Sequence, residues 1–368
     1  MMYNYRIKNI AIINNKGYGT GIGRYSVNMH KTLLNHGVDS TLHQLFTHNQ
    51  YSLPKQENIY GVNLGKYSSY INTEFLRLYY KKIKHAVKGN IVHISDPSLS
   101  NLVKIFPKAV LTVHDLYYLN NRSNSNIISY IMKERYKKIN SFNYILVNSI
   151  FTKRSLIKEL KVENNKIFLV YPGTDIKVFR NEKIKNKETI GFNNNDIVLI
   201  NVAYDNPNKN LKFLYQILSS LPEEYKLVRI GKNTRENIEY SKKINVYSRI
   251  KFIENLDDDK LIKYYQNSDI FVYPSLFDGF GYGNVEAMAS GLPVITSNIA
   301  IMKEIVGNCG ILLSTDKTDQ WVDSILSLTD SEKYNYLSSL GIQRANYFSI
   351  DNEFTQLKNF YEVENLGT

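Results

Sequence analysis

Short apolar runs, each closed by polar or glycine-bearing residues, recur along the chain and alternate with segments of helical spacing. In the first half IKNIAIIN (7–14), NIVHIS (90–95), AVLTVH (109–114) and YILVNS (144–149) read as buried strands, and GRYSVNMHKTLLNHG (23–37) as an amphipathic helix. After the turn YPGTD (171–175) comes an apolar-poor stretch, NEKIKNKETIGFNNND (181–196), and then the rhythm restarts. DIVLINVA (196–203), YKLVRIG (225–231), RIKFIE (249–254), DIFVYPS (269–275) and PVITSN (293–298) alternate with helical patterns such as NLKFLYQILSSL (210–221) and DDKLIKYYQNS (258–268). This double start predicts an α/β protein of two Rossmann-like, doubly wound units, 1–175 and 176–345. The segment SIDNEFTQLKNFYEVEN is left as a closing helix within 346–368, expected to cross back to the first unit. Ligands of open α/β sheets bind beyond the carboxyl ends of the strands, so function is expected in a cleft between the two sheets.

Composition narrows the class. The 368 residues suit two domains, and no run approaches the ~18 apolar residues of a membrane span. The N-terminal MMYNYRIKNIAIINNKG has only a brief apolar core and reads as a first strand, not a signal peptide. The lone Cys309 cannot form an internal disulfide, which fits a reducing, cytoplasmic setting. The formal net charge of +12 is concentrated in LRLYYKKIKHAVKGN (76–90) and YIMKERYKKIN (130–140). Both are open to two readings, a solvated helix face or a footing on anionic lipid at the inner membrane face. No helix-turn-helix, RNP-like or zinc-finger pattern accompanies the charge, so nucleic acid is not an expected partner.

Candidate chemistry centres on FVYPSLFDGFGYGNVEAMASGLPVITSN (271–298), where Asp278 and Glu286 stand eight positions apart among four glycines. The strand ends at Pro274, the loop lies on the ligand rim, and NVEAMAS reads as a short helix stopped by Gly291. Gly279, Gly281 and Gly283 would let backbone approach a ligand, and the helix start near Asn284 and Val285 would offer N–H groups to a diphosphate. A blander reading stays open: Glu286 as a first-turn carboxylate favoured by the helix dipole, and Asp278-Gly279 as an ordinary turn.

The segment PSLFDGFGYGNVEAMASGLPVITSN (274–298) resembles the donor-binding segment of the family 4 retaining glycosyltransferases of GT-B fold, with nearly every motif element in order. Similarity extends to GTGIGRYSVNMHKTLLNHG (19–37), VHDL (113–116), VNSIFTKRSLIKEL (147–160), KIFLVYPGTDIKVF (166–179), VAYDNPNKNL (202–211), IMKEIVGNCGILL (301–313) and RANYFS (344–349). The resemblance implies transfer of a sugar from a UDP- or GDP-linked donor to a glycan or lipid-linked acceptor, with retention and without a cofactor. By the same resemblance Glu286 would accept from the ribose hydroxyls, and Asp278 with the backbone of Gly279, Phe280 and Gly281 would hold the sugar. Lys209 and the amides of Asn284 and Val285 would face the phosphates, Asn255 and Leu256 would border the base, and Gly21 and His114 would contact the donor from the first unit. Asp278 and His114 are thus the candidate catalytic residues.

The sequence departs from this pattern twice. Ala203 and Asn208 stand where relatives carry arginine, and Arg229 is a candidate to restore the charge, unless it is merely a solvated strand end. Asp278 replaces the usual Glu, a reach about 1.5 Å shorter, in a setting where ~1 Å can cost 10²-fold in rate. All seven histidines lie at or before residue 114, so the donor unit has none for acid–base work. The resemblance favours a same-face substitution, with Asp278 positioning and not attacking. Asp257-Asp258-Asp259 precedes a helical pattern and suits its first turn, so no catalytic metal is expected. Two other functions fit the same plan, a sugar-nucleotide epimerase and a non-catalytic nucleotide-binding partner subunit.

Overall fold

Each apolar run is short and buried on both faces, which is the pattern of strands in parallel sheets covered by helices. The computed structural model describes residues 9–18, 20–46, 58–64, 69–120, 127–180 and 185–363, without the side chains of 69–77, 120, 127 and 363. Residues 1–8 of the N-terminal stretch, Gly19, residues 181–184 of the polar joint, Leu76 and Arg77 of the first basic segment as side chains, and 364–368 therefore lie outside it. The chain divides into two units, Met1–Gly173 with Ile350–Thr368, and Thr174–Ser349.

The first unit holds β1 (Ile10–Asn14), β2 (Ser40–Phe46), β3 (Ile59–Asn63), β4 (Ile91–Ile94), β5 (Val110–Val113), β6 (Tyr144–Val147) and β7 (Ile167–Leu169). They form one parallel sheet in the order β3-β2-β1-β4-β5-β6-β7. The second unit holds β8 (Ile197–Val202), β9 (Tyr225–Ile230), β10 (Ile250–Ile253), β11 (Ile270–Tyr273), β12 (Val294–Ser297) and β13 (Ile311–Leu313), ordered β10-β9-β8-β11-β12-β13. In each sheet the order reverses once, between β1 and β4 and between β8 and β11, and such switch points open a crevice at the carboxyl ends. The strand list read from apolar runs lacked β2 and β3, and also the three-residue β7 and β13. STLHQLF places His43 and Gln44 inside the run and IYGVN is half exposed, so neither shows the continuous apolar signature.

The two basic segments differ. The helix Ser69–Ala86 exposes Lys81, Lys82 and Lys84, followed by an exposed Lys88, and Leu78 on the same stretch is 76% exposed. In the helix Ile127–Lys137, by contrast, Arg135 is buried, Lys137 pairs with Glu134 at 2.5 Å, and Lys138 just beyond donates to Asn101 Oδ1. The second segment is thus less uniformly basic at its surface than its composition suggested: Arg135 is buried and Lys138 half-buried, while the exposed Lys137 has Glu134 beside it.

The helix Ile350–Val363 is part of the first unit and docks on the helix Gly21–Asn35. Thr32 Oγ1 donates to Glu353 Oε2 at 2.8 Å, and His36 stacks on Phe354 at 4.0 Å between ring centroids. Tyr171 N donates to Gln356 Oε1 at 3.0 Å, and Tyr361 OH meets His93 Nδ1 at 2.7 Å. Burial pushes the Glu353 carboxyl up to about 7 despite hydrogen bonds from Thr32 and the Gly173 N–H, and Oε1 has no partner among the described residues. Its folded value lies above the unfolded one, so its contribution is complete below about pH 4.5 and is lost as pH rises through about 7. The loss should be about 3 kcal/mol in all. Thermal melts of the full chain from pH 4.5 to 8 should therefore show Glu353→Gln losing less stability than wild type, and parallel curves would refute this linkage.

Candidate functional site

The rim of the second sheet at the β8/β11 switch point is built from two loops tied to each other. After β8, Asn206 caps a tight turn, Pro207–Lys209, by accepting from Asn208 N at 3.0 Å, and Asn210 in a left-handed conformation opens the helix Leu211–Ser219. After β11 the chain is stopped by Pro274. Leu276 N and Ser275 Oγ then both donate to Asn208 O, at 2.7 and 3.1 Å. That clamp brings Lys209 against Asp278, 69 positions away.

Lys209 Nζ donates to Asp278 Oδ2 at 2.8 Å and to Tyr273 OH at 2.8 Å, and Tyr273 OH donates to the same Oδ2 at 2.5 Å. Asp278 Oδ1 accepts from Gly279 N at 2.9 Å. The two charged side chains are only 13% and 17% exposed. Burial alone would raise the Asp278 carboxyl, yet the Lys209 ammonium and the bonds from Lys209, Tyr273 and Gly279 hold it below the usual carboxylate range. Burial works against the Lys209 charge in turn, and Asp278 and Tyr273 outweigh it, lifting the ammonium above its ordinary value. Burial and Asp278 together raise the Tyr273 phenol, so the trio at neutral pH is cation, anion and neutral phenol. The residues expected to meet phosphate and sugar separately are thus each other's partners, joined by a tyrosine that the motif did not single out.

The glycines that follow answer mostly to the protein itself. Gly281 has φ +88°, and a Cβ there would lie 2.8 Å from Asn284 Nδ2 and 3.0 Å from Met302 Cε. A Cβ on Gly283 would lie 3.0 Å from Phe271 Cζ, so this residue lets the helix pack on β11. Phe280 is buried edge-on against Tyr282 and Phe348, at 5.2 and 5.6 Å. The helix spans Tyr282–Ala289, starting two residues before the expected NVE. Its first-turn amides are consequently those of Tyr282, Gly283 and Asn284; Asn284 N already reaches Gly281 O at 3.0 Å, and Val285 lies beyond the first turn. Asn284 and Val285 are fully buried, with Asn284 Nδ2 on Gly281 O. At the other end Gly291, at φ +75°, gives a left-handed stop, with Leu292 N on Ala287 O and Gly291 N on Met288 O.

Glu286 is one turn inside this helix, which removes the first-turn dipole reading. It is 1% exposed, and its Oε2 accepts from Tyr265 OH at 2.8 Å. Tyr265 is itself buried on the helix Asp258–Asn267, edge-on to Phe179 at 5.6 Å. Arg229, on β9, is 0% exposed and so is no solvated strand end. Nη1 donates to Ile230 O, and the guanidinium lies beside the Tyr215 hydroxyl. A Cβ on Gly231, at φ +123°, would lie 2.0 Å from Ala203 O and 3.1 Å from Arg229 Nη1, so the guanidinium sits beside the Ala203 position. Asn255, at φ +55°, and Leu256 occupy the rim after β10, where Asn255 is exposed. Asp257 caps the next helix by accepting from Lys260 N at 2.8 Å, with Asp258 and Asp259 in its first turn.

In the first unit Gly21 is the opening residue of its helix, and a Cβ there would meet nothing within 4 Å. The position crowded by the protein itself is Gly23, where a Cβ would lie 2.0 Å from Gly17 O. His114 follows β5 and is buried, with Nε2 on Ser95 O at 2.9 Å, Nδ1 facing Asn148 Nδ2 at 3.5 Å, and Tyr25 edge-on at 4.7 Å. Burial pushes its imidazole below the ordinary value, and the carbonyl at Nε2 fixes the proton there, so the ring is neutral. Among the described residues no group of three or more His, Cys, Asp or Glu is arranged to hold a metal.

Residues 182–344 match the model of glycosyl transferases group 1, and residues 19–178 that of Glycosyltransferase Family 4. The chain is 32% identical over 165 residues to O-antigen chain mannosyltransferase B of Escherichia coli, 43% of each chain, and so spans less than half the length of that relative. It is 26% identical over 302 residues to the Escherichia coli UDP-Gal:alpha-D-GlcNAc-diphosphoundecaprenol alpha-1,3-galactosyltransferase, covering 77% of each. In fold it is similar to Anabaena Alr3699/HepE in complex with UDP and glucose, with a TM-score of 0.79 at 15% identity, covering 97% of this chain and 100% of that one. The motif order, the two doubly wound sheets and two family models that between them take in both units converge: the chain belongs to the family 4, group 1 glycosyltransferases of GT-B fold.

Proposed function

We propose that this protein moves a hexose from a UDP- or GDP-linked donor to a glycan or lipid-linked acceptor, with retention of anomeric configuration and without a metal ion or other cofactor. The observation that carries the reading is the Lys209 ammonium fixed at the switch point of the second sheet, directly before the glycine loop and the helix that carries Glu286. Lysine has three donors, and two are spent on Asp278 and Tyr273, which leaves one for a phosphate oxygen. Arg229, buried beside Ala203, supplies the second cation that the sequence lacks at positions 203 and 208. Fixed positive groups aimed at a departing diphosphate are the largest contribution such a site can make. Glu286, oriented by Tyr265, serves the ribose; Asn255 and Leu256 border the base; the Gly279–Gly281 backbone and the first-turn amides serve sugar and phosphate. Gly21 and His114 are assigned to the donor from the first unit, the neutral imidazole as a polar contact.

For the reaction, Asp278 is a poor nucleophile, since Lys209, Tyr273 and Gly279 N already occupy its oxygens. Same-face substitution fits better: the bond from anomeric carbon to phosphate oxygen breaks, the acceptor oxygen bonds to that carbon on the same side, and its proton passes to the departing phosphate. The names of the relatives, a mannosyltransferase and a galactosyltransferase acting on a diphosphoundecaprenol-linked sugar, support a hexose donor and a lipid-linked acceptor. Thermal-shift titration with UDP, GDP and ADP should pick out one nucleotide, because ligand at 100 times Kd adds about 2.7 kcal/mol. Lys209→Gln should abolish that shift and lower kcat/KM about 100-fold, while EDTA should leave wild-type turnover unchanged. A protein that binds no nucleoside diphosphate and turns over no nucleotide sugar would remove the reading.

The exposed lysines and Leu78 of the Ser69–Ala86 region support a peripheral seat on the anionic inner face of a membrane, where a lipid-linked acceptor would lie. Among the described residues no helix is long and apolar enough to cross a membrane. Sedimentation with anionic vesicles should show binding that weakens sharply between 50 and 500 mM salt (roughly the range over which the Debye length falls about threefold). Replacing Lys81, Lys82 and Lys84 by Gln should weaken it further, and binding indifferent to salt or to these changes would count against the seat.

A further inference from the structure

We propose that Tyr273 is a positioning residue of the donor site, its phenol supplying the reach that Asp278 lacks relative to glutamate. This rests on the donor-site reading above. Tyr273 is the last residue of β11, buried, with its ring stacked on Phe271 at 5.7 Å, so its hydroxyl is held by the core and not by the loop. That hydroxyl donates to Asp278 Oδ2 at 2.5 Å and accepts from Lys209 Nζ at 2.8 Å, closing a three-membered ring of bonds around one carboxylate oxygen. The Lys209 ammonium also lies 5.3 Å from the centroid of the same aromatic ring.

The hydroxyl does two things at once. It gives Asp278 Oδ2 a second donor beside the Lys209 ammonium, one carried by the strand, while Gly279 N holds Oδ1. It also absorbs one of the lysine's three donors, which fixes the direction of the remaining one. A glutamate at 278 would carry its carboxylate about one bond length beyond the point where Tyr273, Lys209 and Gly279 N now hold it. Tyr273 and Asp278 are therefore a matched pair, and the aspartate is suited to this site because the tyrosine is there.

Removing the hydroxyl alone keeps the ring packing, so Tyr273→Phe should fold. The test compares wild type, Tyr273→Phe, Asp278→Glu and the double variant for melting temperature, nucleoside diphosphate affinity, kcat and donor KM. Tyr273→Phe should lower kcat about 30-fold, with nucleotide affinity changed less than about threefold, since ångström-scale misplacement acts on the reacting end. Asp278→Glu should also be impaired, and the double variant should recover at least about tenfold over Tyr273→Phe, a coupling that independent sites do not show. A kcat for Tyr273→Phe equal to wild type, or a double variant whose losses simply multiply, would overturn the pairing while leaving the donor site standing. A wild type that neither binds nor turns over any nucleotide sugar would bring down both.

Discussion

The contact between Lys209 and Asp278 is the constraint around which the second unit's rim is arranged. At 2.8 Å and an effective dielectric near 20, two unit charges attract by about 6 kcal/mol, which is of the same order as the cost of withdrawing both from water. The pair is thus no large source of stability, and its value is geometric. Holding it requires Asn208 O to clamp the second loop, Asn210 to turn left-handed, Pro274 to end β11 on time, and a phenol from the core to share the load. Each of these is a local choice that makes sense only because the other loop is present.

The same economy governs the glycines and the helix behind them. Gly281 and Gly283 are needed by Asn284, Met302 and Phe271, and Phe280 is a core residue wedged between Tyr282 and Phe348. The loop is therefore shaped before any ligand arrives, and a preorganised set of donors costs nothing to reorganise when charge develops. Glu286 follows suit: with Tyr265 OH on Oε2 its carboxylate is oriented from beneath by a buried partner on a different helix.

The first unit solves a related problem by another route. His114, its proton fixed by Ser95 O, is a neutral, buried polar group. The terminal helix Ile350–Val363 returns to that unit through Thr32, His36 and Tyr171, with a carboxyl at Glu353 whose burial makes its proton part of the packing. The cations are distributed unevenly too: Arg135 and Lys138 are consumed inside, whereas Lys81, Lys82 and Lys84 remain at the surface.

Much of this was legible in the chain alone. Parallel strands buried on both faces leave continuous apolar runs, so β1, β4, β5, β6, β8, β9, β10, β11 and β12 could be read directly, and the repeated βα rhythm gave two doubly wound units. Strands β2 and β3 escaped because polar or exposed residues interrupt them, and β7 and β13 because three residues are too short to show a run. Lys209, Asp278 and Glu286 became candidate site residues through motif order, which records residue types at spacings along the chain. What the order could not contain was distance between residues far apart in it. That Lys209 and Asp278 bind each other, that Tyr273 completes them and that Arg229 is dry beside Ala203 were decided by the sheet, whose strand pairing brings chain-distant loops within hydrogen-bond reach.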